Sequence, residues 1–152
     1  MPDEILGIPL HPLVVHATVV FVPLAVLGTL VFTAVPRWRR GYGWLVVAFS
    51  FVALVTVPLA TRSGKRLRDT LELGGPVLEK VQDHQQMGDR VIWAVAPMFA
   101  FGLAAMLMVR AGRPTREVTL VGVLASIAAL VAVVLVVLTG HLGSQAVWNP
   151  AG

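Results

Sequence analysis

Residues 118–139 read VTLVGVLASIAALVAVVLVVLT and contain no charged side chain. A helix of about 20 apolar residues crosses the roughly 30 Å hydrocarbon core of a bilayer, so this stretch has the length and composition of a transmembrane helix. The run without charge continues to Gly152, and three further stretches, at 10–35, 41–61 and 91–109, also lack Asp, Glu, Lys and Arg. Because lipid leaves unpaired backbone groups unsatisfied, each stretch predicts a spanning helix.

The composition of the whole chain supports this interpretation. Of 152 residues, 57% are hydrophobic and 13% are charged, and the mean hydropathy is +0.81. We predict an all-α fold, an integral membrane four-helix bundle forming one domain over residues 1–152, with spans at approximately 10–35, 42–61, 91–109 and 118–139. The net charge of +4 comes from basic residues that flank the spans, which is usual for membrane proteins, so we expect no nucleic-acid partner. Cysteine is absent, which excludes thiolate metal sites and iron–sulfur clusters on this chain.

The link between the second and third spans, residues 62–90, carries helical signals of its own. Leu67 and Leu71 are four residues apart beside charged residues, which predicts a short amphipathic helix at the membrane interface. Gly74-Gly75-Pro76 then breaks the chain and places the proline at a favourable first helical position.

A single stripe follows from this break into the third span. Apolar or small side chains and His84 recur at spacings of four and three from Val77 to Val95. One continuous helix should therefore carry His84 on the face turned toward the bundle. Gly88, one turn later, leaves space beside the imidazole.

Arginine density predicts the orientation in the membrane. The loops at 36–40 and 110–116 each hold three arginines, whereas the segments before the first span and after the fourth hold no Lys or Arg. By the positive-inside rule, both loops are cytoplasmic and both termini are extracytoplasmic. The amphipathic helix of the charge-balanced link is then extracytoplasmic too, and we expect a bacterial inner (plasma) membrane.

All four histidines fall at this outer level. His11 and His16 open the first span, His84 precedes the third, and His141 closes the fourth between Gly140 and Gly143. Imidazole is a common ligand of metals and haem iron, so four at one level suggest a site. Each also has a structural alternative, as an interfacial, hydrogen-bonded or helix-terminal side chain.

Haem b held by two histidines suits this pattern better than zinc or copper. His11 and His16 are five residues apart and point about 140° away from each other on an ideal helix, unlike the close pairs of most such metal sites. We expect His16 and His84 to be the first ligand choices and His141 the next, with His11 completing a second haem or a supporting contact. Haem propionates need cations at the interface. The candidates at that level are Arg62, Lys65, Arg66 and Arg90.

The chain also resembles a known family. The opening Gly7-Ile-Pro-Leu-His11-Pro12-Leu-Val-Val-His16, the isolated His84 and the ending Gly140-His141-Leu142-Gly143 resemble the bacterial domain-of-unknown-function family twenty-two thirty-one. The resemblance covers essentially the whole chain and implies a four-helix membrane protein. Some members are fused to Rieske iron–sulfur domains, which implies a redox setting. Ser144 and Trp148 depart from the family's usual glycine and tyrosine, which affects the expected contacts of the tail.

These observations leave three functions open. The first is a small b-type haem protein that relays electrons near the extracytoplasmic face, with a separate redox protein or a quinone as partner. The second is a non-redox membrane module whose histidines bind Zn or Cu or are structural. The third is a quinone-interacting subunit of a larger oxidoreductase. The charge-free stretches offer no paired carboxylates or nucleophile–base triad, so an electron-transfer or binding protein is favoured over an enzyme, and a homo-oligomer is compatible with the sequence.

Overall fold

Four long helices make up most of the structure. The computed structural model describes residues 4–5, 8–71 and 73–149, with side chains described from Leu10 onward. A two-residue strand β1 (Glu4–Ile5) pairs antiparallel with β2 (Ile8–Pro9), and a short 3-10 turn covers Pro36–Trp38. The helices are α1 (Leu10–Ala34), α2 (Arg39–Thr70), α3 (Gly75–Arg110) and α4 (Thr115–Trp148). All four are long and apolar enough to cross a membrane, which confirms the predicted all-α four-helix membrane bundle.

The helices form a closed ring of neighbours. Helix α1 packs on α2 and α4, and α3 packs on the same two helices, so α1 and α3 lie on a diagonal of the bundle. The buried core consists largely of small side chains, among them Ala25, Ala53, Ala94 and Ala129. Such residues let neighbouring backbones approach closely, which is how helices gain contact energy in lipid.

The separate amphipathic helix expected between the second and third spans is not confirmed. Helix α2 continues without a break to Thr70 and includes Leu67. Between Thr61 and Thr70 the sequence has no proline and no glycine pair, and the single glycine there, Gly64, is tolerated within a helix. The break comes where Gly74-Gly75-Pro76 predicts it, since α3 begins at Gly75, whose φ of +58° favours glycine. From there α3 runs unbroken to Arg110, as the stripe through His84 predicts.

A buried arginine ties the helices together at the end opposite the histidines. Arg39 is only 3% exposed, although the sequence places it in an arginine-rich loop. Its Nε donates to the Phe32 carbonyl at 2.8 Å, and its Nη2 donates to the Thr33 carbonyl and to Thr119 Oγ1, each at 2.8 Å. Arg39 thus satisfies carbonyls at the end of α1 and links them to the beginning of α4.

Candidate cofactor-binding site

A cavity of about 460 Å³ opens at the histidine end of the bundle. It lies where α1 and α3 begin and α2 and α4 end, and all four helices contribute to its wall. Its volume falls in the range of small-molecule and cofactor sites, and its wall is mostly apolar. The polar side chains on that wall are His11, Thr18, Thr61, Arg68, His84, Gln85 and Thr139.

His11 reaches the cavity from α1 and is held against α2. Its Nδ1 lies 3.0 Å from the carbonyl oxygen of Ala60 and 3.3 Å from Ser63 Oγ. The ring lies on Gly64, where a Cβ would come within 2.9 Å of the imidazole Cε1. The absence of a side chain at Gly64 is therefore what lets the imidazole approach α2 so closely.

His84 makes the same kind of contact between α3 and α4. Its Nδ1 lies 2.8 Å from the carbonyl oxygen of Thr139, and a Cβ at Gly143 would lie 3.0 Å from both Cε1 and Nδ1 of the ring. In both cases the accepting carbonyl stands four residues before the glycine on which the imidazole rests. Gly88 also lines the cavity.

These hydrogen bonds determine which ring nitrogen carries the hydrogen when each imidazole is neutral. A carbonyl oxygen only accepts, so Nδ1 of each histidine carries the donated hydrogen and Nε2 of a neutral ring keeps a lone pair. Within the described part of the chain, Nε2 of neither ring has a hydrogen-bond partner. No buried side-chain nitrogen or oxygen there is left unpaired, so both Nε2 atoms border open space.

The two imidazoles therefore line one cavity from diagonally placed helices, each with its Nδ1 engaged and its Nε2 available for ligation. A carbonyl bonded to the remote ring nitrogen is the usual way in which proteins orient a ligating histidine. No group of three or more metal-ligating side chains occurs among the described residues, so this pair is not extended by a third histidine or a carboxylate.

The other two histidines lie at the same end of the bundle but not on the cavity wall. His16 is exposed, and its Nδ1 bonds the carbonyl of Pro12 in its own helix at 2.6 Å. His141 is exposed and approaches Gln145 Nε2 at 3.0 Å. The sequence ranked His16 first and His11 last among the ligand candidates, whereas the cavity brings together His11 and His84.

The expected cations likewise lie outside the cavity. Arg62, Lys65, Arg66 and Arg90 are absent from its wall, and Lys65 instead forms an ion pair with Asp89 at 2.8 Å. The cation on the wall is Arg68, which the sequence analysis did not single out.

Comparison with known proteins identifies the family of this chain. Residues 7–151 match the family described as "Predicted membrane protein (DUF2231)". The chain matches no curated protein and no solved structure. The family match spans nearly the entire chain and confirms the resemblance carried by the histidine and glycine motifs. This chain belongs to the DUF2231 family of predicted membrane proteins.

Proposed function

We propose that this protein is a small membrane haem b protein in which His11 and His84 are the two axial ligands. The observation that carries the proposal is that two imidazoles line one apolar cavity, each with its Nδ1 bonded to a backbone carbonyl and its Nε2 without a hydrogen-bond partner among the described residues. The imidazoles come from α1 and α3, which lie on a diagonal of the bundle. Ligands from diagonally placed helices suit a flat cofactor that must be approached from both faces.

The residues present fit haem better than a bare metal ion. Structural and catalytic zinc sites use three or four protein ligands, and no such group occurs in the part of the chain that the structure describes. In haem the porphyrin supplies four nitrogen ligands to the iron, so the protein has to supply only the axial ligands. With both axial positions taken by imidazole, bound haem would supply one-electron redox chemistry, so electron relay is the function we infer.

The proposal includes an orientation and a partner class. The loops at 36–40 and 110–116, which are rich in arginine, lie at the end of the bundle opposite the cavity. With these loops in the cytoplasm of a bacterium, the cavity would face the extracytoplasmic side of the plasma membrane. A redox protein or a quinone on that side would then exchange electrons with the site.

Absorption spectroscopy tests the proposal directly. The protein, purified after expression with ample haem or incubated with haemin, should show a Soret band and a sharp α-band after dithionite reduction. His11→Ala and His84→Ala should abolish or broaden both bands, whereas His16→Ala and His141→Ala serve as matched controls and should leave them unchanged. A colourless protein that takes up no haemin would sink the proposal, and stoichiometric zinc or copper in that sample would favour a metal-ion site.

A further inference from the structure

We propose that Arg68 receives the acidic groups of the ligand in this cavity, so that the carboxylates of haem point to the gap between α2 and α3. This inference rests on the proposed function and deepens it. It assigns a specificity-determining residue and requires an amphipathic ligand with an apolar body and at least one carboxylate.

Arg68 occupies a distinctive place on the cavity wall. Of the described residues that line the cavity, Arg68 alone carries a permanent charge. Its Nη1 donates to Gln85 Oε1 at 2.7 Å and so connects α2 to α3. Leu71 and Leu73, in the turn that joins these helices, also line the cavity. The guanidinium therefore lies where the apolar wall meets the connecting turn.

The Arg68 guanidinium has more N–H donors than its described partners use. An arginine side chain carries five N–H bonds. Its Nε and Nη2 donate to Asp69 Oδ1 at 3.1 and 2.7 Å, and Nη1 gives one hydrogen to Gln85. Among the described residues, one N–H on each terminal nitrogen has no partner, and two is the number that a carboxylate needs for a paired contact.

The present partner of Arg68 does not compete strongly with a ligand. The Asp69 side chain is 63% exposed, whereas the Arg68 side chain is 29% exposed. An ion pair with so exposed a carboxylate is weak because water screens it and solvates both groups. A ligand carboxylate that enters from the apolar cavity would meet the guanidinium on its less solvated side, where a charged hydrogen bond is stronger.

Haemin and its dimethyl ester provide the test, since they share the apolar body and differ in the two carboxylates. Wild-type protein should bind haemin roughly ten- to a hundredfold more tightly than the ester, the range expected for loss of charged hydrogen bonds. Arg68→Gln should bring this preference close to one while leaving the affinity for the ester unchanged. Arg62→Gln, an exposed position six residues earlier on α2, is the matched control and should keep the wild-type preference.

The outcomes separate this inference from the haem proposal. If wild-type protein binds both compounds equally, or if Arg68→Gln keeps the preference for haemin, Arg68 does not receive the carboxylates although haem still binds. An equal loss of preference in Arg62→Gln would also overturn the assignment, because it would reveal a diffuse electrostatic effect. If the wild type binds neither compound, the haem proposal and this inference fail together. A variant that binds the ester as tightly as the wild type is folded. If Arg68→Gln does not bind the ester in this way, Arg68→Met is used in its place.

Discussion

Gly143 lies directly against the imidazole of His84, so close that a Cβ at position 143 would stand 3.0 Å from the ring. Gly64 stands in the same relation to His11, at 2.9 Å. Each imidazole also bonds the carbonyl four residues before its glycine, on Thr139 and Ala60 respectively. The helix pairs α1–α2 and α3–α4 therefore each present one histidine to the cavity by the same device, in which a glycine exposes the backbone that orients the ring.

We expect Gly143→Ala to weaken cofactor binding. The added methyl group meets Cε1 and Nδ1 of His84 at 3.0 Å, so the ring must shift from the Thr139 carbonyl that holds it. Loss of such an orienting contact commonly lowers the affinity about 10- to 100-fold. Haemin titration of the purified variant should show this loss together with a broadened α-band.

Gly102→Ala is the matched control for that experiment. Gly102 lies within α3 and is not on the cavity wall, and a Cβ there would meet no atom within 4 Å. Its haem affinity should equal that of the wild type. If the two alanine variants behave alike, the contact between Gly143 and His84 does not orient a ligand.

The sequence contains a signal that turns His11 toward the bundle. The stripe that places His84 toward the bundle uses alternating spacings of four and three, and the same rule applied to α1 begins at His11. The positions on that stripe are 11, 15, 18, 22, 25, 29 and 32. The residues from 18 onward on it are all buried, and His16 falls off it. A ranking that puts His16 before His11 does not follow this stripe, and in the structure His16 is exposed and lies off the cavity wall.

The role of individual arginines could not be read from the sequence in the same way. Arg39 and Arg40 are adjacent and look equivalent in a charge count, yet Arg39 is buried and Arg40 is exposed. Arg66 and Arg68 are two residues apart in the sequence, but of these two only Arg68 lines the cavity. Which side chain turns inward depends on the rotation of α2 relative to its neighbours. Tertiary packing fixes that rotation, and the apolar pair Leu67 and Leu71 does not by itself show which neighbouring arginine lies beside a cavity.

We expect Arg39→Ala to destabilise the bundle without affecting the cavity. The substitution leaves the carbonyls of Phe32 and Thr33 without the donors that now satisfy them. A buried acceptor that loses its partner costs about 1–3 kcal/mol. Thermal unfolding in detergent should show a lower midpoint than in the wild type, whereas the haem spectrum at low temperature should be unchanged because Arg39 lies at the opposite end.

Arg40→Ala removes an equal charge from the neighbouring, exposed position and should leave the unfolding midpoint within error of the wild type. An Arg40 variant as unstable as the Arg39 variant would show that net charge, and not the buried hydrogen bonds, governs stability at this end.

Reporter fusions should place the two ends of the bundle on opposite sides of the membrane. A fusion after residue 152 reports the end that carries the cavity, and a fusion at Gly112 reports the loop between α3 and α4. The arginine density of that loop predicts a cytoplasmic signal at Gly112 and an extracytoplasmic signal at the C-terminus. The reverse result would invert the protein and place the cavity on the cytoplasmic side.

Removal of a ligating ring should be reversible by free imidazole. His84→Gly would leave a ring-sized space beside Gly143, where the Thr139 carbonyl could still orient a small imidazole. The variant should bind haemin weakly, with the sharp α-band lost, and millimolar imidazole should restore that band because the missing axial ligand is replaced. His16→Gly, changed at an exposed histidine outside the cavity, should have a wild-type spectrum that imidazole leaves unaltered. A His84→Gly protein that keeps a wild-type spectrum without imidazole would show that another residue occupies the axial position. His11→Gly would then show whether His11 is also dispensable for the spectrum.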